Sequence, residues 1–129
     1  MSSTIHSDLA WLPRPPADFA AQCRAALASD ADPGRRIQWL AAHALDEGQL
    51  DRRAKVVTGA RQAGRSLAPL TGFRLAMISN ATTSLIAPAL IATAARYGIA
   101  LDCVEADFGQ VLQEAVSADS AIHRAKPDA

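Results

Sequence analysis

The sequence predicts an α/β protein in which a helical N-terminal region leads into a partial parallel sheet of β-α-β-α order. Three observations carry this. Residues 73–106 run as an apolar strand, a polar loop, an apolar helix and a second strand. The first strand is apolar at Leu75, Ala76, Met77 and Ile78, hence on both faces, the pattern of a strand covered on both sides of a parallel sheet. The chain is 50% hydrophobic, largely Ala and Leu with few aromatics, which favours helices around that sheet. At 129 residues the chain is one domain or part of a larger one. Two parallel strands do not close a sheet, so the expectation is the front part of a larger domain.

Each element has its own signal. Residues 1–16 form an irregular arm, broken by Pro13, Pro15 and Pro16. Residues 17–66 form the helical region. Phe19, Cys23 and Leu27 recur every four residues and predict a helix over 17–29. Asp30, Asp32, Pro33 and Gly34 then form a break, read as a capping and turn cluster. A second helix over 35–46 puts Ile37, Leu40, Ala41 and Ala44 on one face. A third over 48–63 turns Leu50, Ala54 and Val57 inward and leaves Asp51, Arg52, Arg53 and Lys55 solvated. Residues 73–129 form the α/β part. Its first strand is Phe73–Ser79. The following helix, Ser84–Tyr97, has Pro88 in its first turn and Gly98 as its stop. The second strand, Ile99–Ala106, alternates, with Ile99, Leu101 and Cys103 on one face, as an outer strand would. A central first strand beside an outer second strand is the flavodoxin-like order. An amphipathic helix over Phe108–Ala118 carries Val111, Leu112, Ala115 and Val116, and a third strand could begin at Lys126–Ala129.

Several function classes find no support in the composition. Net charge is zero, so no footprint for nucleic acid or an anionic membrane is visible. No apolar run approaches the roughly 20 residues of a membrane span. The N-terminus lacks the basic and apolar regions of a signal peptide. Cys23 and Cys103 are too far apart in sequence for a metal spacing or a disulfide framework, so the expected setting is reduced and cytoplasmic.

The stretch with a site-like address is the loop after the first strand, because ligands of parallel sheets bind at the strands' carboxyl ends. Ser79, Asn80, Thr82 and Thr83 are therefore the candidate ligand-loop residues. Asn80 is expected to face the loop, tying backbone N–H groups there and tolerating an unusual φ. Other motifs have plainer readings. Gly59 to Ser66 has the spacing of a phosphate-binding loop, but a charged helix precedes it where a buried strand is needed. Asp30-Ala31-Asp32 has the spacing of an aspartyl-phosphate nucleophile without the preceding strand. His6, His43 and His123 are mutually isolated; His43 has Glu47 four residues on, a surface pair rather than a metal site. Ser120 and His123 fall on one helical turn, without an orienting acid or oxyanion hole.

With these residues in view, the chain resembles the N-terminal region of FkbH-like proteins, subfamily IIIC of the haloacid dehalogenases, found in polyketide and related biosynthesis. The resemblance covers about residues 36–129 and is most specific after Phe73. It rests on an ordered set: Ser79, Asn80, Thr82 and Thr83 in the loop, Gly98 and Ile99 opening the second strand, Phe108, Gly109 and Gln110 in a turn, then Ser120, Pro127 and Asp128. It implies an SGNH-hydrolase-like front part and a rear phosphatase-like part carrying an Asp-x-Asp centre and Mg²⁺. Such proteins move a phosphoglycerate-derived glyceryl unit onto the thiol of an acyl carrier protein. The Gly-Asp-Ser of SGNH hydrolases falls here on Ser79-Asn80-Ala81, so the nucleophile position is an alanine.

The expected function is thus a non-catalytic N-terminal portion of such a protein, with no catalytic residue, metal or cofactor of its own. Its partners would be the C-terminal phosphatase-like domain and an acyl carrier protein, with neither nucleic acid nor membrane. One alternative is an SGNH-type ester or thioester hydrolase with Ser79 or Ser84 as nucleophile and the Asn80 amide as oxyanion donor. Another is a structural or oligomerisation module using the open sheet edge. The apolar face around Leu75, Met77 and Leu101 is expected to be covered from outside these 129 residues.

Overall fold

A computed structural model describes residues 11–28, 33–107 and 109–129. His6, Asp30-Ala31-Asp32 and Phe108, each weighed above, lie outside them. The described elements follow as α1 (Phe19–Ala28), α2 (Gly34–Ala41), α3 (Glu47–Gln62), β1 (Thr71–Met77), α4 (Ala87–Arg96), β2 (Ile99–Glu105), α5 (Val111–Val116) and α6 (Ala121–Ala125). The structure is mixed α/β, as the sequence predicts.

The β-α-β unit forms as its end signals indicate. Pro88 lies in the first turn of α4, where its missing N–H removes no helix bond. Gly98, at φ 79°, takes the left-handed position after α4 that a side chain would resist. β1 and β2 pair in parallel, with Leu75 opposite Cys103 and Met77 opposite Glu105. The other edge of β1 is occupied too. Ala129 donates to the Arg74 carbonyl at 3.3 Å, and the Ala76 N–H donates to the Ala129 carbonyl at 2.8 Å. One residue bonding to both neighbours of Leu75 is the pattern of parallel pairing.

Burial reverses the expected roles of the strands. Among the described residues β2 is the covered strand, with Ala100 and Leu101 buried, while the first half of β1 is exposed. The cause is that α4 packs chiefly on β2 and α3 packs on α4, leaving β2 as the main partner of β1. Leu101 is buried by this chain itself, contrary to expectation, whereas Leu75 and Met77 stay half-buried.

One core spans the helical region and the α/β part, joining Phe19, Cys23, Ile37, Leu40, Val57, Leu70, Ala95 and Ala100. Several helix faces differ from the sequence pattern. The buried side of α1 runs through Ala26 rather than Leu27. Helix α2 ends at Ala41, short of the predicted 46, because the Ala44 N–H instead donates to the Pro13 carbonyl at 2.9 Å. Asp46 and Gln49 then form a reciprocal capping box that starts α3. Helix α5 is shorter than predicted and leaves Leu112 and Val116 exposed.

Arg53 overturns the solvated reading of α3's charged residues: it is 0% exposed. Its Nη2 donates to the Ile37 carbonyl, while Nε and Nη1 have no hydrogen-bond partner among the described residues. Burial pushes its pKa below the usual guanidinium range, to about 10, partly opposed by Cys23. At the amino end of α2, a Cβ added to Gly34 would lie 2.1 Å from the Ala68 carbonyl oxygen, so only glycine lets the linker approach.

Two predictions follow from these sites. Arg53→Met removes a buried charge that has no ion-pair partner among the described residues while keeping most of its volume. It is expected to be neutral or stabilising by about 1–4 kcal/mol in urea denaturation. Above about 10, and until the usual guanidinium range is reached, the unfolded chain retains a proton that the folded Arg53 has lost, so wild-type stability rises with pH there. The advantage of Arg53→Met should therefore shrink as pH rises from about 9 to 11; a constant difference would count against this reading. Gly34→Ala should cost about 1–3 kcal/mol through overpacking against the linker, measured the same way.

Candidate functional site

The loop between β1 and α4 stands at the carboxyl ends of both strands. The Ala106 N–H donates to the Met77 carbonyl at 3.0 Å, which extends the parallel ladder and draws the end of β2 alongside the loop. Ser79 Oγ accepts the Ala81 N–H at 2.9 Å, a side-chain turn that bends the chain away from the sheet. The Thr83 carbonyl accepts the N–H groups of Ile86 at 2.9 Å and Ala87 at 3.0 Å, which starts the turn into α4. Thr83 Oγ1 donates to Glu105 Oε1 at 2.5 Å. These bonds shape a cleft of about 260 Å³ lined by Ala81, Thr82, Thr83, Ser84, Glu105 and Asp107.

The four sequence-predicted residues thus divide. Thr82 and Thr83 line the cleft, and Ser79 builds its rim. Asn80 is exposed at the bend, but the turn bond expected of it is made by Ser79. Nor does Asn80 take an unusual φ: among the described non-glycine residues only Lys126 has a positive one. The sequence reading missed Glu105 and Asp107, which bring two carboxylates to the cleft. Their signal was available in the parallel pairing, since residues that follow the ends of adjacent parallel strands share one edge.

The chemistry available here is hydroxyl and carboxylate hydrogen bonding. Ala81, between Asn80 and Thr82, is exposed and brings no nucleophilic group to the loop. Among the described residues no group of three or more His, Cys, Asp or Glu is placed to hold a metal ion.

The other motifs resolve locally. Ser120 Oγ and His123 Nδ1 do meet, at 2.7 Å, but Ser120 also caps α6 by accepting the His123 N–H at 3.3 Å. The Glu114 carboxylate beside them accepts the Ile122 N–H at 3.1 Å and so holds the backbone. His43 is buried outside any helix, its Nδ1 3.1 Å from the Leu40 carbonyl and its ring edge-on to Trp39. Gly59 to Ser66 forms the end of α3 and its exit turn, with Gly64 at φ 69°. Among the described residues no helix is long and apolar enough to cross a membrane.

Comparison with protein families, curated proteins and solved structures gives no match for this chain.

The loop's bonds predict a graded response. Thr83→Val should lower stability by about 1–2 kcal/mol, because it removes a charge-assisted bond, and Ser79→Ala by about 0.5–1 kcal/mol. Asn80→Ala should stay within about 0.5 kcal/mol. Denaturant melts of the three variants test the order; an Asn80 effect exceeding that of Thr83 would contradict the assignment.

Proposed function

We propose that this chain is a non-catalytic N-terminal portion of an FkbH-like biosynthetic protein. It acts as scaffold or docking surface for a phosphatase-like domain that loads a phosphoglycerate-derived glyceryl unit onto an acyl carrier protein. The observation that carries the reading is the loop itself. A small-Asn-x-Thr-Thr segment closes a cleft at the carboxyl ends of two parallel strands, with Ala81 where a hydrolase of SGNH type needs its serine. The pairing of Ala129 along the free edge of β1 is compatible with a flavodoxin-like sheet whose first strand is central. In this reading the Mg²⁺ and the Asp-x-Asp centre belong to the phosphatase-like domain, the protein works in the cytoplasm, and the loop's hydroxyls and carboxylates orient a docked partner through hydrogen bonds.

A second reading, self-association, is favoured by a specific surface. Ile86, Leu90 and Tyr97 are all exposed on or beside α4, and Phe73 is exposed on β1. Patches of this kind mark interaction sites when they are contiguous.

A fluorophosphonate probe separates the scaffold from the hydrolase. No covalent adduct is expected on any serine; an adduct on Ser79 or Ser84 would overturn the proposal in favour of the hydrolase. Titration with a holo acyl carrier protein should shift the amide resonances of residues 79–84, and unchanged spectra at saturating carrier would remove the docking role. Sedimentation equilibrium tests self-association: a concentration-dependent dimer supports the second reading, and a monomer at all concentrations rejects it.

A further inference from the structure

On the flank of the loop, a groove runs between α3 and the first half of α4, with the end of β2 as its floor. Its polar compartment, about 350 Å³, includes Asp51, Lys55, Thr58, Ser84, Cys103 and Glu105. An apolar compartment of about 550 Å³ adjoins it, walled by Leu45, Leu50, Leu85 and Pro88, with the exposed Glu47 at its margin adding to the negative charge of the groove. Asp51, Ser84 and Pro88 border both compartments. Each volume falls in the range of small-molecule sites.

The charges select the head group. Asp51 is paired with Lys55 at 2.8 Å, which leaves neither free to dominate the groove. Glu105 accepts the Thr83 hydroxyl but has no cationic partner among the described residues. The Cys103 thiol reports the same field: after burial, Glu105 and Asp102 push its pKa up, against Arg61. A cation is therefore favoured at the polar end and an anion disfavoured. At the other end Leu85, 81% exposed, offers apolar area to be covered.

We propose that this groove binds a small amphipathic amine, its ammonium on the Glu105 carboxylate and its apolar chain along Leu45, Leu50 and Leu85. The groove shares Ser84 and Glu105 with the loop cleft, but the proposal does not depend on the scaffold reading. Cys103 lines the polar compartment and Cys23 is buried, so alkylation of Cys103 reads occupancy directly.

The test uses the whole chain with hexylamine, 1-hexanol and hexanoate at constant ionic strength. Alkylation of each cysteine by iodoacetamide is followed by peptide mass spectrometry. Hexylamine is expected to slow alkylation of Cys103 more than hexanol does, and hexanoate not at all. Glu105→Gln should weaken the hexylamine protection by about tenfold, the size expected for one lost charge-assisted contact. Ser84→Trp, which fills the junction of the two compartments without touching the core, should abolish it. Equal protection by hexanoate, unchanged protection in Glu105→Gln, or no protection by hexylamine would each overturn the proposal.

Discussion

The parallel pairing of β1 with β2 is the constraint on which the rest depends. Two parallel strands need a crossover between them, and α4 supplies it. The pairing brings both carboxyl ends to one edge, so the loop after β1 meets Glu105 although 22 residues separate it from Thr83. The register sets which side chains share a face. Arg74 stands opposite Asp102 and binds its carboxylate at 3.0 Å, while Arg61 approaches the same group at 3.6 Å. A shift of one residue would send Asp102 and Cys103 each to the face the other now occupies and undo both the ion pairs and the groove.

A second theme is the use of arginine on backbone carbonyls. Arg65 donates to the Leu27 carbonyl at 2.6 Å near the end of α1, and Arg96 to the Ala41 carbonyl at 2.9 Å at the end of α2. Arg74 reaches the Ala125 carbonyl at 2.6 Å at the end of α6, and Arg61 the Leu101 carbonyl at 2.9 Å on β2. The last carbonyls of a helix lack intrahelical donors, and a guanidinium satisfies them while tying the helix to its neighbour. Arg96 also lies 5.7 Å from the centre of the Trp11 ring, which links the arm to α2 and α4. Arg53 belongs to the same pattern but is buried, and two of its nitrogens have no partner among the described residues.

The elements with local punctuation were legible in the sequence. Pro88 and Gly98 bracket α4, and the apolar strands on either side follow from composition. What the sequence hid was set by contacts distant along the chain. The end of α2 depends on Pro13, the burial of Arg53 on Ile37, and the better cover of β2 on α4. The loop was legible as a site because its address follows from topology. Its carboxylates were missed because Glu105 joins Thr83 only through the strand pairing, although that pairing was itself predicted. Asn80 drew attention by residue type, yet Ser79 makes the turn bond, since a serine hydroxyl two residues before Ala81 reaches the same N–H.

The most direct test of the account is a measurement of scalar couplings across hydrogen bonds in the isotopically labelled chain. The parallel ladder predicts couplings from the Thr71 nitrogen to the Gly98 carbonyl carbon and from the Ala106 nitrogen to the Met77 carbonyl carbon, where the bonds are 2.8 and 3.0 Å. Both should appear together, fixing the register at its two ends. Couplings between residue pairs out of this register, or the paired reciprocal pattern of an antiparallel hairpin, would contradict it.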